Sequence, residues 1–397
     1  MRVRVERDVL AEAVAWTSRS LPARSSLPLL AGIVINAGDL GSAVLPDGSS
    51  ASADEVLTLS GGDLETSARA SITAVVDEPG SILVSGRLLS DIARALPARP
   101  VQLVSEGSRL VVTCGSARFS LASMPVEDYP AFPAIPAAVG HVPGREFAEA
   151  VSQVVVAAGR DDVLPALTGA RLEITTDGLV LVATDRYRLA LRTLDWSPVP
   201  SGTQTGALIG AKTLSDVAKS LAGVDQIAIC LSAPGSGLAA GPALIGFEAG
   251  SRRVLTRLMG ESFPDYRKAM PSGSTTFVTV ETGALLEAVK RVSLVLERNS
   301  PLRLAFTDGS AEIVAGAGDE ADASETLEIA LSGDPVTIAF NPQYLIDGLS
   351  AVDAKVTRIA MTEPSRPAVL TGLTSIDSDP ADGEHYRYLL MPMRVTG

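Results

Sequence analysis

The sequence predicts an α+β protein made of three similar domains, each with two helices packed on antiparallel sheet. One apolar helix pattern occurs three times, at 9–14, 146–151 and 284–289, and its closing valines lie 137 and 138 residues apart. A second helix pattern, with apolar residues at positions i, i+3, i+4 and i+7, recurs from Leu89, Leu214 and Leu345. Two patterns with nearly the same spacing indicate one structural unit used three times.

The two patterns predict six helices, at 8–20, 86–96, 144–156, 211–221, 283–296 and 342–352. These segments carry eight basic and eight acidic residues, so the net charge of −13 comes entirely from the rest of the chain. A negative protein usually does not bind nucleic acid, because contacts to phosphate need a positive surface. The neutral helices weaken that objection, although mixed neutral faces are common in soluble proteins.

Short segments rich in β-branched residues predict the strands between the helices. Each repeat begins with a short alternating strand, around Val3 and Val5, Val139 and Val142, and 277–280. Further strands are expected at 29–35, 72–76, 110–112, 170–174, 179–183, 227–231, 302–306, 312–314 and 336–339.

Turn residues mark where these strands reverse. Asp-Gly pairs at 177–178 and 308–309 predict hairpins at matching places in the second and third repeats. The same place in the first repeat holds a Gly-, Ser- and Asp-rich insertion at 38–54, which we expect to form an exposed loop.

Proline-rich stretches mark the joints between the repeats. Neither 123–136 nor 261–273 can continue a helix or a central strand, so both are expected to be extended connectors. The predicted domains are therefore 1–136, 137–274 and 275–397.

Size and composition agree with this organisation. A chain of 397 residues is too long for one core, and 46% hydrophobic residues are enough for three. Cys114 and Cys230 fall in apolar runs of different repeats, which favours buried thiols in a reducing compartment. The sequence shows no signal peptide and no run of roughly 20 apolar residues, so a cytoplasmic protein without membrane contact is expected.

Six short motifs relate the chain to a known family. They are VER at 5–7, GGDLE at 61–65, RFSL at 118–121, ATDRYRLA at 183–190, FPDYRKAMP at 263–271 and MPMRV at 391–395. In this order on a threefold repeat, they resemble the bacterial sliding clamp, the β subunit of DNA polymerase III. The resemblance implies a DNA-clamp fold in which two chains join head to tail in a homodimeric ring around double-stranded DNA. It also implies a non-catalytic subunit of a DNA-directed DNA polymerase that needs no cofactor.

A clamp that slides must contact phosphates, which carry no sequence information. The resemblance assigns this role to four basic residues: Arg24, Arg87, Arg160 and Lys212. Further helix candidates are Arg94, Lys219, Lys290 and Arg291. The alternative for each of them is an ordinary solvated cation, and Asp161 and Asp162 weaken the attraction of Arg160 for phosphate.

The resemblance also implies an apolar cleft between the second and third repeats. It would bind short linear motifs of the replicative polymerase catalytic subunit, the clamp loader, repair polymerases and mismatch-repair proteins. The matching residues are Leu167, Thr184, Arg186, Tyr187, Arg188, Leu189, Pro264, Lys268, Tyr344, Ser365, Pro367, Leu389, Met391, Pro392, Met393 and Arg394. Methionines flanking a proline suit such a cleft, because thioether side chains adapt to several partners.

A structural role is the alternative for several of these residues. Leu167 and Leu189 could be ordinary core, and MPMRV could simply end a core strand. Against this, Arg186 and Arg188 lie in a short segment and need partners if they are buried. Arg186 and Tyr187 also replace a small residue or histidine that is commoner in the family, which would narrow one side of the cleft.

The ring implied by the resemblance needs a contact between the first repeat of one chain and the third repeat of the other. Phe119, Leu121 and Leu294 are the candidates for this contact, and ordinary core packing is the alternative.

An enzyme and a protein-only adaptor remain as competing functions. The chain has two histidines, His141 and His385, and lacks HExxH, CxxC, GxSxG and a Gly-rich phosphate loop. The acidic run of Asp319, Glu320 and Asp322 fits a solvated loop better than a cation site. Catalysis by carboxylates alone, or an adaptor with no DNA in its hole, stays compatible with the sequence.

Overall fold

The computed structural model describes residues 1–22, 27–38, 55–161, 163–175, 178–199, 205–232, 243–297, 300–316, 321–375 and 385–394. Five predicted features lie wholly or partly outside these residues: Arg24, Asp162, Asp177 of the first predicted Asp-Gly hairpin, the acidic pair Asp319 and Glu320, and most of the insertion at 38–54. Predictions that rest on them therefore stay predictions.

All six predicted helices are present. They are α1 (Arg7–Ser18), α2 (Gly86–Ala95), α3 (Gly144–Val155), α4 (Ala211–Leu221), α5 (Thr282–Val292) and α6 (Pro342–Ala351). Each buries the stripe that its sequence pattern predicts, as α5 does with Leu285, Ala288, Val289 and Val292 at positions i, i+3, i+4 and i+7. A short 3-10 helix at Ser293–Val295 follows α5, so the helix expected at 283–296 ends about one turn early.

The strands are short, and every paired strand is antiparallel to its neighbour. In chain order they are β1 (Arg2–Val5), β2 (Gly32–Ala37), β3 (Val56–Gly62), β4 (Thr66–Thr73), β5 (Val75–Glu78), β6 (Gly80–Ser85), β7 (Val101–Glu106), β8 (Arg109–Cys114), β9 (Ala117–Met124), β10 (Ala138–Pro143), β11 (Gly169–Ile174), β12 (Leu179–Thr184), β13 (Arg188–Leu194), β14 (Ser197–Pro198), β15 (Thr205–Gly210), β16 (Gln226–Leu231), β17 (Leu244–Ala249), β18 (Arg252–Arg257), β19 (Thr276–Glu281), β20 (Leu302–Thr307), β21 (Ser310–Ala315), β22 (Ala323–Glu328), β23 (Ala330–Ser332), β24 (Val336–Phe340), β25 (Val356–Met361), β26 (Ala368–Leu373) and β27 (Tyr386–Leu390).

The chain groups into two compact units. The first unit comprises Met1–Arg145, Ser197–Gly202 and Ser220–Leu258. It contains one sheet of fourteen strands in the order β14-β10-β16-β17-β18-β4-β3-β2-β6-β9-β8-β7-β1-β5. The pairing of β18 with β4 joins strands of the second and first repeats into this single sheet.

The second unit comprises Glu146–Trp196, Thr203–Lys219 and Met259–Gly397. Its larger sheet has the order β15-β11-β12-β13-β27-β26-β25-β19-β23, and a smaller sheet has the order β22-β21-β20-β24. Here β13 of the second repeat pairs with β27 of the third. The division into domains at 136 and 274 stays a prediction.

Two of the predicted strands begin or break differently in the structure. The segment 29–35 was expected to be one strand, but Pro28–Ala31 forms a 3-10 helix and β2 starts at Gly32, because a proline at the first position favours a helical turn. The segment 72–76 is interrupted at Ala74, because β4 ends at Thr73 and pairs with β3, whereas β5 begins at Val75 and pairs with β1.

The turns and cysteines agree with the sequence where they are described. Thr307 pairs with Ser310 across a two-residue turn in which Gly309 has a φ of 74°, as the Asp-Gly hairpin predicts. Cys114 and Cys230 are free and buried. Burial beside Glu248 raises the pKa of the Cys230 thiol to about 12, so this thiol stays protonated and unreactive.

Candidate peptide-binding cleft and basic surface

A tight turn after β12 places the central motif of the candidate cleft. The carboxylate Oδ1 of Asp185 accepts the N–H groups of Tyr187 and Arg188, each at 3.0 Å. The hydroxyl of Thr184 donates to the carbonyl of Arg188 at 2.7 Å. Arg186 has a φ of 81°, the one positive value among the non-glycine residues that the structure describes. Such a backbone costs free energy in an L-residue, and here the turn fixes it at an exposed position.

Arg188 points inward from the same turn and is only 4% exposed. Its Nε donates to Oδ2 of Asp185 at 2.9 Å, and its Nη1 donates to Oδ2 of Asp347 at 2.5 Å. The guanidinium also lies 4.3 Å from the centroid of the Tyr344 ring. Burial opposes the charge, but Tyr388 and the two carboxylates outweigh it and raise the pKa of Arg188. A permanently charged guanidinium therefore ties the turn to α6.

A cavity of about 460 Å³ lies beside this turn. Its volume falls in the range of roughly 300–1,000 Å³ that is typical of binding pockets. We call it the Tyr187 cleft, and it is lined by Ala158, Gly159, Arg160, Asp161, Leu164, Leu167, Asp185, Arg186, Tyr187, Arg188, Gln343, Tyr344 and Asp347. The rings of Tyr187 and Tyr344 are stacked, with centroids 6.4 Å apart. Leucines and tyrosines form its apolar walls, and the charged groups at its rim can orient a bound chain.

The segment after β27, residues 391–394, runs past Tyr187. Leu389 on β27 pairs with Leu189 on β13, and the N–H of Met391 then donates to the carbonyl of Tyr187 at 2.8 Å. Two residues later, the N–H of Met393 donates to the carbonyl of Ala339 at 2.8 Å. These two bonds fix the terminal segment, and they leave the Met391 side chain exposed and those of Pro392 and Met393 half-buried. Arg394 is exposed.

A hydrophobic cluster lies under this pair of strands. It consists of Val182, Leu189, Leu191, Leu208, Phe263, Tyr266 and Leu389. Leu189 and Leu389 are both buried in this cluster, and Leu167 is both buried and part of the cavity wall. Buried leucines of this kind stabilise the fold by about 1.5–3 kcal/mol each and keep the floor of the site rigid.

The connector between the second and third repeats is held by a buried carboxylate. Glu173 accepts hydrogen bonds from the Tyr266 hydroxyl at 2.9 Å, from Nε of Arg171 at 2.7 Å and from Arg267. Burial opposes ionisation of Glu173, but these three donors outweigh burial and lower its pKa. Burial and the bond to Glu173 raise the pKa of Tyr266 to about 12.

The structure separates the sixteen predicted cleft residues into groups. Five line the Tyr187 cleft, namely Leu167, Arg186, Tyr187, Arg188 and Tyr344. Thr184, Leu189 and Leu389 lie in the strands beneath. Outside the cavity wall are Pro264 and Lys268 on the exposed connector, Ser365 and Pro367 in the turn between β25 and β26, and the terminal residues from Met391 to Arg394.

The sequence interpretation missed Asp185, Gln343 and Asp347. Asp347 accepts hydrogen bonds from both Arg188 and Gln343, the latter at 2.8 Å. The spacing of these residues in the sequence could have identified them. Gln343 and Asp347 are four residues apart on α6, and Tyr344 lies three residues before Asp347. Residues at this spacing share one face of a helix.

The predicted DNA-contacting residues that the structure describes are exposed. Arg87 lies in the first turn of α2. Arg160 and Lys212 line a second cavity of about 650 Å³ together with Lys219, Asp216 and Asp347. By contrast, Lys290 pairs with Glu287 at 2.8 Å, and Arg291 pairs with Glu325. These two further candidates are therefore partly neutralised.

The three candidates for the contact between chains differ in exposure. Leu294 is 84% exposed and Phe119 is 37% exposed. Leu121 is 2% exposed and pairs with Leu110 inside the first unit, so it can support Phe119 but offers no surface of its own.

Within the described ranges, no three His, Cys, Asp or Glu side chains come together in a group that could hold a metal ion. Asp322 is exposed, as expected for a solvated loop. The helices that the structure describes are all too short or too polar to cross a membrane.

Family models match three consecutive parts of the chain. The DNA polymerase III beta subunit N-terminal domain matches residues 49–133, the central domain matches 141–265 and the C-terminal domain matches 267–394. The Beta sliding clamp of Streptomyces coelicolor is 49% identical over 397 residues and covers 100% of both chains. A beta sliding clamp homolog from Streptomyces muensis is 42% identical over 395 residues and covers 99% of both.

Solved structures agree in fold. A sliding clamp from Pseudomonas aeruginosa bound to griselimycin superposes with a TM-score of 0.86 at 25% identity, over 100% of both chains. The DNA polymerase sliding clamp from Bacillus subtilis gives a TM-score of 0.86 at 24% identity, over 99% of both. The expected DNA-clamp fold is thereby confirmed, and so is the expected non-catalytic role. By its repeats, its fold and its relatives, the chain belongs to the DNA polymerase III beta subunit family, the bacterial sliding clamps.

Proposed function

We propose that two copies of this sliding clamp join head to tail into a ring around double-stranded DNA, and that the Tyr187 cleft tethers replication and repair proteins by their short linear motifs. The observation that carries the tethering role is the pairing of β13 with β27. It places the Asp185 turn, which lines the cavity beside Tyr187 and Tyr344, next to the segment that follows β27, where the N–H of Met391 donates to the carbonyl of Tyr187. The partners proposed are the polymerase catalytic subunit, the clamp loader, repair polymerases and mismatch-repair proteins.

The proposed DNA contacts are made by Arg24, Arg87, Arg160 and Lys212. Exposed cations on long side chains bind phosphates without recognising sequence, so the ring can move along the duplex. The net charge of −13 keeps the rest of the surface from binding DNA tightly. Affinity for DNA is then weak and salt-sensitive, and the closed ring provides the retention.

The proposed contact between chains uses Phe119 of one chain and Leu294 of the other. Leu294 supports this role because it is 84% exposed just after α5, so that its side chain is accessible to a partner chain. A head-to-tail contact of this kind closes into a ring when the rotation per chain is right.

Deletion of residues 391–397 tests the tethering role. The deletion removes Met391 and its bond to Tyr187, so a fluorescent peptide copied from the polymerase catalytic subunit should lose at least about tenfold in affinity, or about 1.4 kcal/mol. Anisotropy measures the affinity, and sedimentation checks that the dimer persists. An unchanged affinity of the truncated protein for the peptide removes the cleft assignment.

A further inference from the structure

We propose that the first unit carries a second motif-binding cleft, which binds an extended peptide with adjacent large apolar side chains flanked by lysine or arginine. The cleft lies where the first and second repeats meet in the fourteen-stranded sheet. The inference goes beyond the function proposed above but rests on it, because the second cleft is the repeat counterpart of the Tyr187 cleft.

The turn at Asp63 repeats the turn at Asp185. Oδ1 of Asp63 accepts the N–H groups of Glu65 and Thr66, at 2.8 and 2.6 Å, which are two and three residues further along the chain. The N–H of Asp63 donates to the carbonyl of Thr66 at 2.8 Å, just as the N–H of Asp185 donates three residues ahead. Each turn ends one strand and begins the strand that joins two repeats.

The strand partner of this turn also has a counterpart. The N–H of Arg257, the last residue of β18, donates to the carbonyl of Glu65 at 3.0 Å. Met391 makes the same bond to Tyr187 at 2.8 Å. Arg257 therefore occupies, in the first unit, the position that Met391 occupies beside the Tyr187 cleft.

The buried wall is repeated as well. Leu30 belongs to the 3-10 helix at Pro28–Ala31 and Leu167 to the 3-10 helix at Pro165–Thr168, and both helices run directly into a strand. Both leucines are buried, and each lines its own cavity.

These elements enclose a cavity of about 390 Å³, which we call the Leu64 cleft. It is lined by Leu30, Gly62, Asp63, Leu64, Glu65, Thr66, Ser67, Tyr129, Pro130, Ala131, Phe132, Pro133, Leu244, Leu255 and Arg257. The first connector forms one wall, in which the rings of Tyr129 and Phe132 lie 5.3 Å apart. The Tyr129 hydroxyl donates to the carbonyl of Gly62 at 3.3 Å and fixes the connector to the turn. Walls of leucine and aromatic rings suit large apolar side chains.

Charge distinguishes the two clefts. Three arginines and three aspartates balance in the lining of the Tyr187 cleft. Thr66 follows Asp63 by three residues, as Arg188 follows Asp185. The Thr66 hydroxyl forms a hydrogen bond with the Thr256 hydroxyl at 3.0 Å, so at this position no buried guanidinium neutralises Asp63. The lining of the Leu64 cleft therefore carries Asp63 and Glu65 against Arg257. A net negative rim selects a basic peptide, because like charges facing each other are strongly disfavoured.

The test uses two labelled peptides, Lys-Leu-Leu-Phe-Lys and its counterpart Glu-Leu-Leu-Phe-Glu, with the full-length protein. Binding is measured by anisotropy while a saturating unlabelled polymerase peptide occupies the Tyr187 cleft. The lysine peptide should bind below about 1 mM and at least about fivefold more tightly than the glutamate peptide. Glu65→Lys should reverse the preference, because it reverses the charge of the rim.

Leu64→Asp provides the site-specific variant, since Leu64 is 55% exposed and its replacement leaves the core intact. This variant should bind the lysine peptide with an affinity at least about fivefold lower than that of the wild type. Val75→Asp is the matched control, because Val75 is 52% exposed in the same unit and lies outside the cavity. Val75→Asp should bind like the wild type.

Three outcomes overturn the proposal: no binding of the lysine peptide, equal binding by wild type and Leu64→Asp, or displacement of the lysine peptide by the polymerase peptide. The last outcome would place the lysine peptide in the Tyr187 cleft. Failure of the polymerase peptide itself to bind would instead count against the function proposed above. In that case the lysine peptide still reports on the Leu64 cleft through Leu64→Asp.

Discussion

At the scale of single residues, the buried guanidinium of Arg188 connects groups that are far apart in the chain. Asp185 is three residues away, whereas Asp347 is 159 residues away on α6. A buried cation with two carboxylate partners is stable only as a complete set, because the removal of one member leaves the others desolvated and unpaired. The same set holds the Tyr344 ring against the Tyr187 cleft.

Arg188→Met should therefore destabilise the protein by about 3 kcal/mol, although methionine fills a similar volume. Urea denaturation measures the free energy of unfolding. Arg186→Met is the matched control, because Arg186 is exposed in the same turn and its loss should change stability by no more than about 0.5 kcal/mol. Equal stability of the two variants would show that the ion pairs of Arg188 contribute nothing.

The sequence predicted that Arg188 needs partners if buried, and it placed Arg188, Tyr187 and Tyr344 in one site. It did not identify Asp347, because that contact depends on how β13 and β27 pair, and no local pattern encodes a pairing of strands about 200 residues apart. The sequence did not show that Leu189 and Leu389 are buried beneath the site, since an apolar residue of a motif has the same pattern whether it is buried or lines a cleft.

At the scale of elements, the helices were the most predictable part, because a 3.6-residue period is read directly from the chain. The 3-10 helix at Pro28–Ala31 was missed because a short apolar run carries no period, and it was read as part of a strand. That helix and its counterpart at Pro165–Thr168 nevertheless supply a wall of each cleft.

Helix α6 packs so closely on β27 that its single glycine, Gly348, leaves no room for a side chain. A Cβ atom at Gly348 would lie 2.4 Å from the Tyr388 ring. Gly348→Ala should cost about 1–3 kcal/mol from overpacking, although alanine is the better helix former. Thermal melting measures the effect.

Gly283→Ala in α5 is the control, because Gly283 is exposed and its added Cβ would meet only the flexible carboxylate of Glu281. This variant should be neutral or slightly more stable. A Gly348→Ala protein as stable as Gly283→Ala would contradict the close packing of α6 on Tyr388.

The second connector gives a pH-dependent prediction. The pKa of Glu173 is lowered in the fold, so the stability that Glu173 contributes is complete above its ordinary value near 4.5 and is lost as pH falls through the lowered value. Glu173→Gln removes that contribution at neutral pH and should flatten the fall in melting temperature between pH 7 and about pH 3.5.

Glu106→Gln is the control, since Glu106 forms a mostly exposed pair with Arg118 and should leave the pH profile unchanged. Identical pH profiles for wild type and Glu173→Gln would show that the carboxylate does not hold Tyr266 and Arg267.

At the scale of the whole molecule, the threefold repeat was readable from spacing alone, and the six motifs indicated the family. Strand order was not predictable: β4 beside β18 and β13 beside β27 are pairings between repeats. Those two pairings build the Leu64 and Tyr187 clefts. The sequence indicated residues of the Tyr187 cleft, whereas it marked GGDLE at 61–65 only as a family motif and not as part of a site. The net charge of −13 argued against DNA binding, and the neutral helices answered that objection only in part.

The central claim is that DNA is retained because it passes through a closed ring. The direct measurement is the rate of release from a nicked circular plasmid and from the same plasmid cut once, in salt high enough to screen phosphate contacts. The protein, loaded by its clamp loader, should stay on the circle and leave rapidly from the cut ends. Release from both DNAs at the same rate would contradict the ring.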